Sequence, residues 1–289
     1  MKILVTGGAG FVGTNLIKRL LNDGHIVKSV DDYSTGKIEN HIDHENVEYS
    51  NSDINYCWQL NHESSDARFD IIFHLAAVAR IQPSFEQPRK YIDTNFNGTY
   101  RIVEYCAKYN IPLIYAGSSS HHSGKFKNPY TFSKDLGEDV IKLYQEHFGL
   151  KASIARFYNV YGPHQLTEGG YTTLIGRWLN ELKNGKQSVI YGNGFKCRDF
   201  THIDDIVDGI TRIMKQQAYG HIFELGRGKS HSINEVAVMF NIIPNYLEDK
   251  PGEAQETLSD SSLAHNLLAW DPKINLKDYI TEQIIFEKN

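Results

Sequence analysis

Cysteine is scarce in this chain of 289 residues: there are three, Cys57, Cys106 and Cys197, an odd number set far apart. That spacing matches neither a metal site nor a disulfide framework, so no metal is expected, and a reducing, cytoplasmic compartment is. Long apolar runs are also missing. The chain opens on a core-type strand, without a charged region leading into a long apolar segment, so neither a signal peptide nor a membrane span is expected. The sequon Asn97-Gly98-Thr99 then has no bearing on glycosylation. Excess basic charge is absent too: a net charge of −5 and a pI near 6.2 give no sequence-wide attraction for nucleic acid or an anionic membrane. Any anionic ligand must be held by a few placed cations. No internal repeat or low-complexity tract is visible, and a hydrophobic content of 40% suits one large domain or two smaller ones.

Against these absences stands a glycine-rich stretch, TGGAGFVG, from Thr6 to Gly13. It follows the buried-strand pattern Lys2 to Val5 and leads into Phe11 to Leu21, where Val12, Leu16, Ile17, Leu20 and Leu21 recur at helical spacing. Each glycine has its own task. Gly7 permits the tight turn, Gly10 lets the backbone approach a pyrophosphate, and Gly13 lets the helix pack closely on the strand; the helix N-terminus adds free N–H donors and partial positive charge. Gly24 closes the helix, His25 to Val30 read as a second strand, and Asp31 follows Gly13 by eighteen positions. An acidic group there can accept hydrogen bonds from the adenosine ribose and repels a 2′-phosphate, which predicts NAD rather than NADP.

Further strand patterns fall near Val47 to Tyr49, Phe69 to Leu75, Leu113 to Ala116 and Ala152 to Tyr158, with helical patterns between them. Alternation of this kind predicts an α/β fold with a doubly wound parallel sheet. After Tyr161-Gly162-Pro163 the regularity breaks and loops rich in glycine, tyrosine and proline take over. The expected organisation is an NAD-binding Rossmann domain over residues 1–162, to which 199–226 return, and a smaller, interleaved substrate domain over 163–198 and 227–289.

Tyr130 and Lys134 lie four apart in NPYTFSKDLGEDVIKLY, on one face of a predicted helix. A phenol of ordinary pKa near 10 is a poor base at neutrality, but a neighbouring ammonium and a positive nicotinamide ring would stabilise its phenolate. Ser118, Ser119 and Ser120 end the apolar strand IPLIYAG, placing hydroxyls at the carboxyl end of a parallel strand, where open sheets bind ligands. Serine, tyrosine and lysine therefore converge on the cofactor site. With these motifs on the page, the chain resembles the extended short-chain dehydrogenase/reductase family and, within it, the nucleotide-sugar epimerases and dehydratases. The likeness also takes in DDYSTG (Asp31 to Gly36), Asp53 with Ile54, HLAA (His74 to Ala77), SFEQP, NFNGT (Asn95 to Thr99), ARFYNVYGP (Ala155 to Pro163), YGNG, CRDFTHIDD (Cys197 to Asp205) and KPGE (Lys250 to Glu253).

The resemblance implies a cofactor surface made of Gly7, Gly10, Phe11, Val12, Gly13, Asp31, Asp32, Asp53, Ile54, Leu75, Ala76, Ala77, Asn95, Tyr130 and Lys134. In it Asp31 meets the adenosine ribose, Asp53 the adenine and Lys134 the nicotinamide ribose. Tyr130 is the implied acid/base and Ser119 the hydroxyl that orients the sugar oxygen; counting back five from Gly124 selects Ser119, with Ser118 left open. On the substrate side the resemblance implies Asn159 and Arg198 on the diphosphate, Tyr191 near the base, and Lys250 as a second phosphate contact where relatives carry arginine. His121 is expected to touch substrate, and with His122 it reads as a loop pair rather than a metal site. The resemblance also implies that Thr257, seven positions after Lys250, stands where some relatives carry a bulky tyrosine that excludes an N-acetyl group, so room for N-acetylhexosamines as well as hexoses is expected.

The implied reaction is NAD-dependent epimerisation at carbon 4 of a nucleotide-activated hexose, UDP-linked glucose or galactose or their N-acetyl forms, through a 4-keto intermediate. Ser120 and His121 stand where related 4,6-dehydratases carry Asp and Glu, and Asp135 stands beside Lys134 where the decarboxylases carry arginine. Both departures favour epimerisation over elimination or decarboxylation. The alternatives are another nucleotide-sugar oxidoreductase, decarboxylase or dehydratase of the family, and a non-catalytic NAD-binding regulator. Tyr130 follows Ser119 by only eleven positions, a shorter loop than relatives have, so the sugar is bordered differently. A homodimer is implied through the helices bearing Asn95 to Tyr109 and Tyr130 to Phe148.

Overall fold

A computed structural model describes residues 1–56 and 68–288. Cys57 lies outside the described residues; Cys106 and Cys197 are free thiols. Along the chain run β1 (Lys2–Thr6), α1 (Phe11–Asn22), β2 (Ile26–Asp31), β3 (Val47–Asn51), β4 (Ile71–His74), α2 (Ile81–Glu86), α3 (Pro88–Tyr91), a π-helical segment Ile92–Gly98, α4 (Thr99–Tyr109), β5 (Leu113–Ser118), α5 (Pro129–Phe148), β6 (Ala152–Phe157) and β7 (Val160–Tyr161). After them come α6 (Leu174–Lys183), β8 (Val189–Tyr191), β9 (Cys197–Asp199), β10 (Thr201–His202), α7 (Ile203–Gln216), β11 (Ile222–Leu225), β12 (Ser230–Ser232), α8 (Ile233–Met239), β13 (Asn245–Leu247), α9 (Ser262–Leu268) and α10 (Leu276–Lys288).

Seven strands form one sheet in the order β11-β6-β5-β4-β1-β2-β3, and every pairing in it is parallel. Successive side chains of a strand point to opposite faces, so these strands feed two cores. Ile3, Val5, Ile71, Phe73 and Ile114 pack on one face with Leu16, Ile17 and Leu20 of α1 and Ile206, Ile210 and Ile213 of α7. Leu4, Ile72, Leu113 and Tyr115 pack on the other with Ile102 and Val103 of α4 and Val140 and Ile141 of α5. Strand order reverses between β1 and β4, which opens a crevice at their carboxyl ends. The doubly wound parallel sheet predicted from the sequence is the fold.

A third core, around Tyr161, Trp178, Phe200, Val236, Phe240 and Ile280, holds together the smaller lobe. Its strands join in short ladders, β7 with β10, β8 with β13, and β9 with β12. The chain passes between lobes more than once. Strand β11 completes the large sheet beside β6, and Ala264, Leu268 and Trp270, which the sequence pattern groups with the smaller lobe, pack in the first core. Trp270 accounts for this return, because its indole Nε1 donates to the Asp205 carbonyl at 2.8 Å while the ring fills the space beside α7. No helix among the described residues is long and apolar enough to cross a membrane.

Candidate active site

The glycine loop joins β1 to α1 at the crevice. Gly7 has φ +71°, and a Cβ there would stand 2.8 Å from the Ala76 nitrogen, so both the backbone angle and the contact with the loop after β4 require glycine. In the first turn of α1, a Cβ on Gly13 would lie 2.1 Å from the Gly7 carbonyl oxygen; only glycine lets helix and loop approach this closely. Gly10 is less confined, a Cβ there standing 3.3 Å from the Gly7 carbonyl oxygen, and it lines the cavity. Helix α1 begins with neither a side-chain cap nor an acidic residue in its first turn, leaving its N–H groups to an anion.

Asp31 ends β2 and is buried, accepting the Ala9 N–H at 3.0 Å and the Tyr33 N–H at 2.8 Å. Burial raises its pKa and these two hydrogen bonds oppose the rise. Asp31 therefore shapes the loop as well as facing the ligand space. Asp32 and Asp53 are exposed beside it, each folding its own turn through Ser34 and Asn55.

A cavity of about 420 Å³ runs from this loop across the carboxyl ends of the strands. Gly7, Gly10, Phe11, Val12, Gly13, Asp31, Asp32, Asp53, Ile54, Leu75, Ala76 and Ala77 line one end, Ser119, Tyr130 and Lys134 its middle, and Asn159, Arg198 and Thr257 the other end. Asn95 lies beneath the wall. Fully buried, it donates to the Val78 carbonyl at 3.0 Å and the Ser133 hydroxyl at 3.0 Å and accepts the Val78 N–H at 2.8 Å, bracing the loop after β4 against α5. Below it His74 joins Thr6 at 2.7 Å to Thr99 at 2.9 Å, and burial lowers its pKa to about 3.

The Tyr130 hydroxyl donates to Ser118 Oγ at 3.1 Å, whereas counting along the motif selects Ser119. The reason is the length of β5. It continues two residues past the predicted Ala116, so Ser118 is its last residue and caps the 3₁₀ turn Ser119–Ser123, accepting the Ser120 N–H at 3.2 Å. Ser119 also lines the cavity. Burial raises the pKa of Tyr130, and the Ser118 hydrogen bond and the charge of Arg80 pull it back. Lys134 is buried with its Nζ 4.0 Å from the centre of the Tyr115 ring, and burial lowers its pKa to about 7. Arg80, which the sequence reading passes over, is thus the cation that acts on the Tyr130 hydroxyl. A charged residue inside the otherwise apolar LAAVAR was its available signal.

Behind Lys134 lies a buried ionic chain that no linear motif announces. Arg156 of β6 grips Glu138 of α5 through two bonds of 3.1 and 2.6 Å, and its Nη1 stands 3.6 Å from Glu224 of β11. Glu224 also accepts from Tyr158 and meets His122. His121 is turned to Asp135, Nδ1 to Oδ1 2.9 Å, and is not among the residues lining the cavity. His121, Asp135 and Glu138 are close enough together to invite a metal ion, but the arginine already supplies Glu138 with its positive partner.

At the far end Asn159, with φ +28°, donates its amide nitrogen to the Asp199 carbonyl at 3.0 Å and to Thr257 Oγ1 at 2.9 Å. This leaves its carbonyl oxygen, an acceptor, for any ligand. Arg198 pairs with Glu253 at 3.3 Å. Tyr191 and Lys250 line an adjoining cavity of about 350 Å³ that shares Arg80, Asn159 and Arg198 with the first; the Lys250 ammonium sits 3.6 Å above the Tyr191 ring.

Three comparisons bear on this geometry. The model of the NAD dependent epimerase/dehydratase family matches residues 3–226. The UDP-glucose 4-epimerase of Mycolicibacterium smegmatis is 29% identical over 100% of this chain and 99% of its own, and the UDP-glucuronic acid decarboxylase 1 of Xenopus tropicalis is 27% identical over 98% of this chain and 71% of its own. The structure of a UDP-glucose 4-epimerase with UDP-glucose from Thermotoga maritima superposes with a TM-score of 0.91 at 26% identity, covering 100% and 99% of the two chains. The uncapped helix, the glycine contacts and the strand-end acid suit a dinucleotide diphosphate and ribose, so the residues present fit NAD. With that fit and a family match spanning most of its length, the chain belongs to the NAD dependent epimerase/dehydratase family, and NAD is its cofactor.

Proposed function

We propose that the protein epimerises carbon 4 of a nucleotide-activated hexose, with NAD as a bound, regenerated cofactor. The observation that carries this reading is the Tyr130 hydroxyl held on Ser118 in the cavity that also contains the glycine loop and Lys134. Tyr130 takes the proton of the carbon 4 hydroxyl and later returns it. NAD, when bound, supplies reversible acceptance of hydride from that carbon. Ser118 holds the phenol, with Ser119 beside it to orient the sugar oxygen, and Lys134 serves the ribose next to them. Arg198 and Lys250 carry the charge for a diphosphate, Tyr191 offers a ring to the base, and the Asn159 oxygen accepts from a hydroxyl or amide of the ligand.

Elimination and decarboxylation draw less support. No carboxylic acid follows Ser119 in the turn, and Asp135, standing where the decarboxylases carry arginine, is tied to His121. Similarity to the Xenopus decarboxylase keeps decarboxylation as the second reading. Purified protein incubated with UDP-glucose, UDP-galactose and their N-acetyl forms, without added NAD, should yield each 4-epimer with no net absorbance of reduced nicotinamide. Loss of water or carbon dioxide instead would replace this reading. A homodimer is part of the same proposal, supported by exposed Tyr100, Leu143 and Phe148 on α4 and α5; light scattering would test it.

A further inference from the structure

Apart from the pull of its charge on Tyr130, Arg80 takes no part in the hydride and proton chemistry, yet it is built into the site. It stands at the N-terminal boundary of α2, without a side-chain cap to the helix, and lines both cavities. Its Nε donates to the carbonyls of Tyr171 at 3.0 Å and Thr172 at 3.1 Å, and Nη1 donates to the Ala79 carbonyl at 3.1 Å, which fixes the plane of the group. Those three acceptors are all neutral. Among the described residues nothing accepts from Nη2, and no carboxylate pairs with the guanidinium. Glu253, which feels its charge, is engaged by Arg198 at 3.3 Å and by Gln82 at 3.2 Å. A guanidinium cannot shed its proton inside a protein. Arg80 is half-buried, so a ligand settling over it would take its charge further from water, and an anion on that ligand would offset the cost.

Two anions of the bound ligand could do so, the diphosphate and an acidic group on the sugar. The diphosphate already has Arg198, with Lys250 in the adjoining cavity. Arg80 instead lines the first cavity together with Tyr130, and its charge reaches the Tyr130 hydroxyl. The carboxyl carbon of a hexuronic acid is carbon 6, two bonds from the carbon 4 that Tyr130 addresses. From this placement we infer that Arg80 reads a carboxylate on the sugar, which makes nucleotide-linked uronic acids the substrate class. The inference rests on the reading of the cavity as a nucleotide-sugar site with Tyr130 at carbon 4. With Nη1 giving one proton to the Ala79 carbonyl, its second proton and Nη2 remain as a planar fork that suits a carboxylate.

The test compares UDP-glucuronate and UDP-galacturonate with UDP-glucose and UDP-galactose on wild type, Arg80→Lys and Arg80→Gln, with binding of UDP alone measured by calorimetry. Wild type should favour the uronates in kcat/KM. Arg80→Gln should lose on the order of 10-fold to 100-fold on them, mainly in KM, the usual effect of removing a charged hydrogen bond. Its UDP affinity should stay within about 3-fold, and the loss of its charge near Tyr130 should act on every substrate alike, so the readout is a fall in the ratio of uronate to neutral-sugar kcat/KM. Arg80→Lys, which keeps the charge without the fork, should fall between. Equal loss on all substrates and on UDP would make Arg80 a diphosphate or loop residue and overturn the inference, as would a wild-type preference for neutral sugars. UDP binding without uronate preference removes only the role of Arg80; failure to bind UDP at all removes the nucleotide-sugar reading and this inference with it.

Discussion

The Tyr130 hydroxyl rests on Ser118, 3.1 Å away, and Ser118 is held in turn by the 3₁₀ turn that it caps. A phenol fixed in this way has one hydrogen-bond partner within reach among the described residues. Tyr130→Phe should lower turnover by roughly 10²-fold to 10⁴-fold, the range for a lost acid/base, while NAD and UDP-sugar affinities stay unchanged. Ser118→Ala should cost on the order of 10-fold to 100-fold, as for a hydrogen bond to a group that becomes charged, and Ser119→Ala less. Steady-state kinetics on the three variants would decide between the serines, and full activity of Tyr130→Phe would remove the phenol from the mechanism.

Lys134 gives stability a pH dependence of defined sign. Its folded pKa lies near 7 against an ordinary 10.5, so below about pH 7 both states hold the proton and the buried charge weighs fully on the fold. As pH rises from about 7 to 10.5 the folded state releases the proton first, and stability rises. Lys134→Met should therefore raise the Tm of the cofactor-free protein most at pH 6 and progressively less toward pH 10, with activity lost throughout. A constant difference across that range would contradict the placement of Lys134.

Gly13→Ala puts a methyl group 2.1 Å from the Gly7 carbonyl, within backbone that cannot yield cheaply. Overpacking of this kind should cost about 1–3 kcal/mol, and the displaced loop should no longer hold NAD. The purified variant should carry no nicotinamide absorbance after gel filtration with NAD, while its circular dichroism stays native.

Glu138 and Arg156 are both buried and meet through two hydrogen bonds. Among the described residues Glu138→Gln leaves the arginine with the more distant Glu224 as its carboxylate, and it should destabilise the protein by about 3–5 kcal/mol in urea unfolding. Replacing both residues by apolar ones of similar volume should cost less than the single change, because no buried charge is stranded.

The division between what is legible in the chain and what is not follows from the range of each interaction. The glycine loop, Asp31 and the Tyr130-Lys134 pair are local patterns, each set by the geometry of one turn, strand end or helix face, and for them spacing alone suffices. The seven-stranded sheet is legible for a related reason: buried parallel strands alternate with helices, and right-handed crossovers leave few ways to order them. Ser118 shows where locality stops. One strand running two residues longer than its apolar pattern changes which hydroxyl faces the phenol.

By itself, then, the sequence determined the dinucleotide loop, the parallel sheet and the residue types of a proton shuttle, because short-range backbone and periodicity constraints specify them. Only the tertiary structure decided that Asn159 turns its amide nitrogen to Asp199 and Thr257, that Arg156 joins Glu138 to Glu224, and that Arg80 enters the cavity beside Tyr130. Those contacts join residues far apart along the chain, and packing of separate elements, rather than any spacing, brings their charges and hydrogen-bonding groups together.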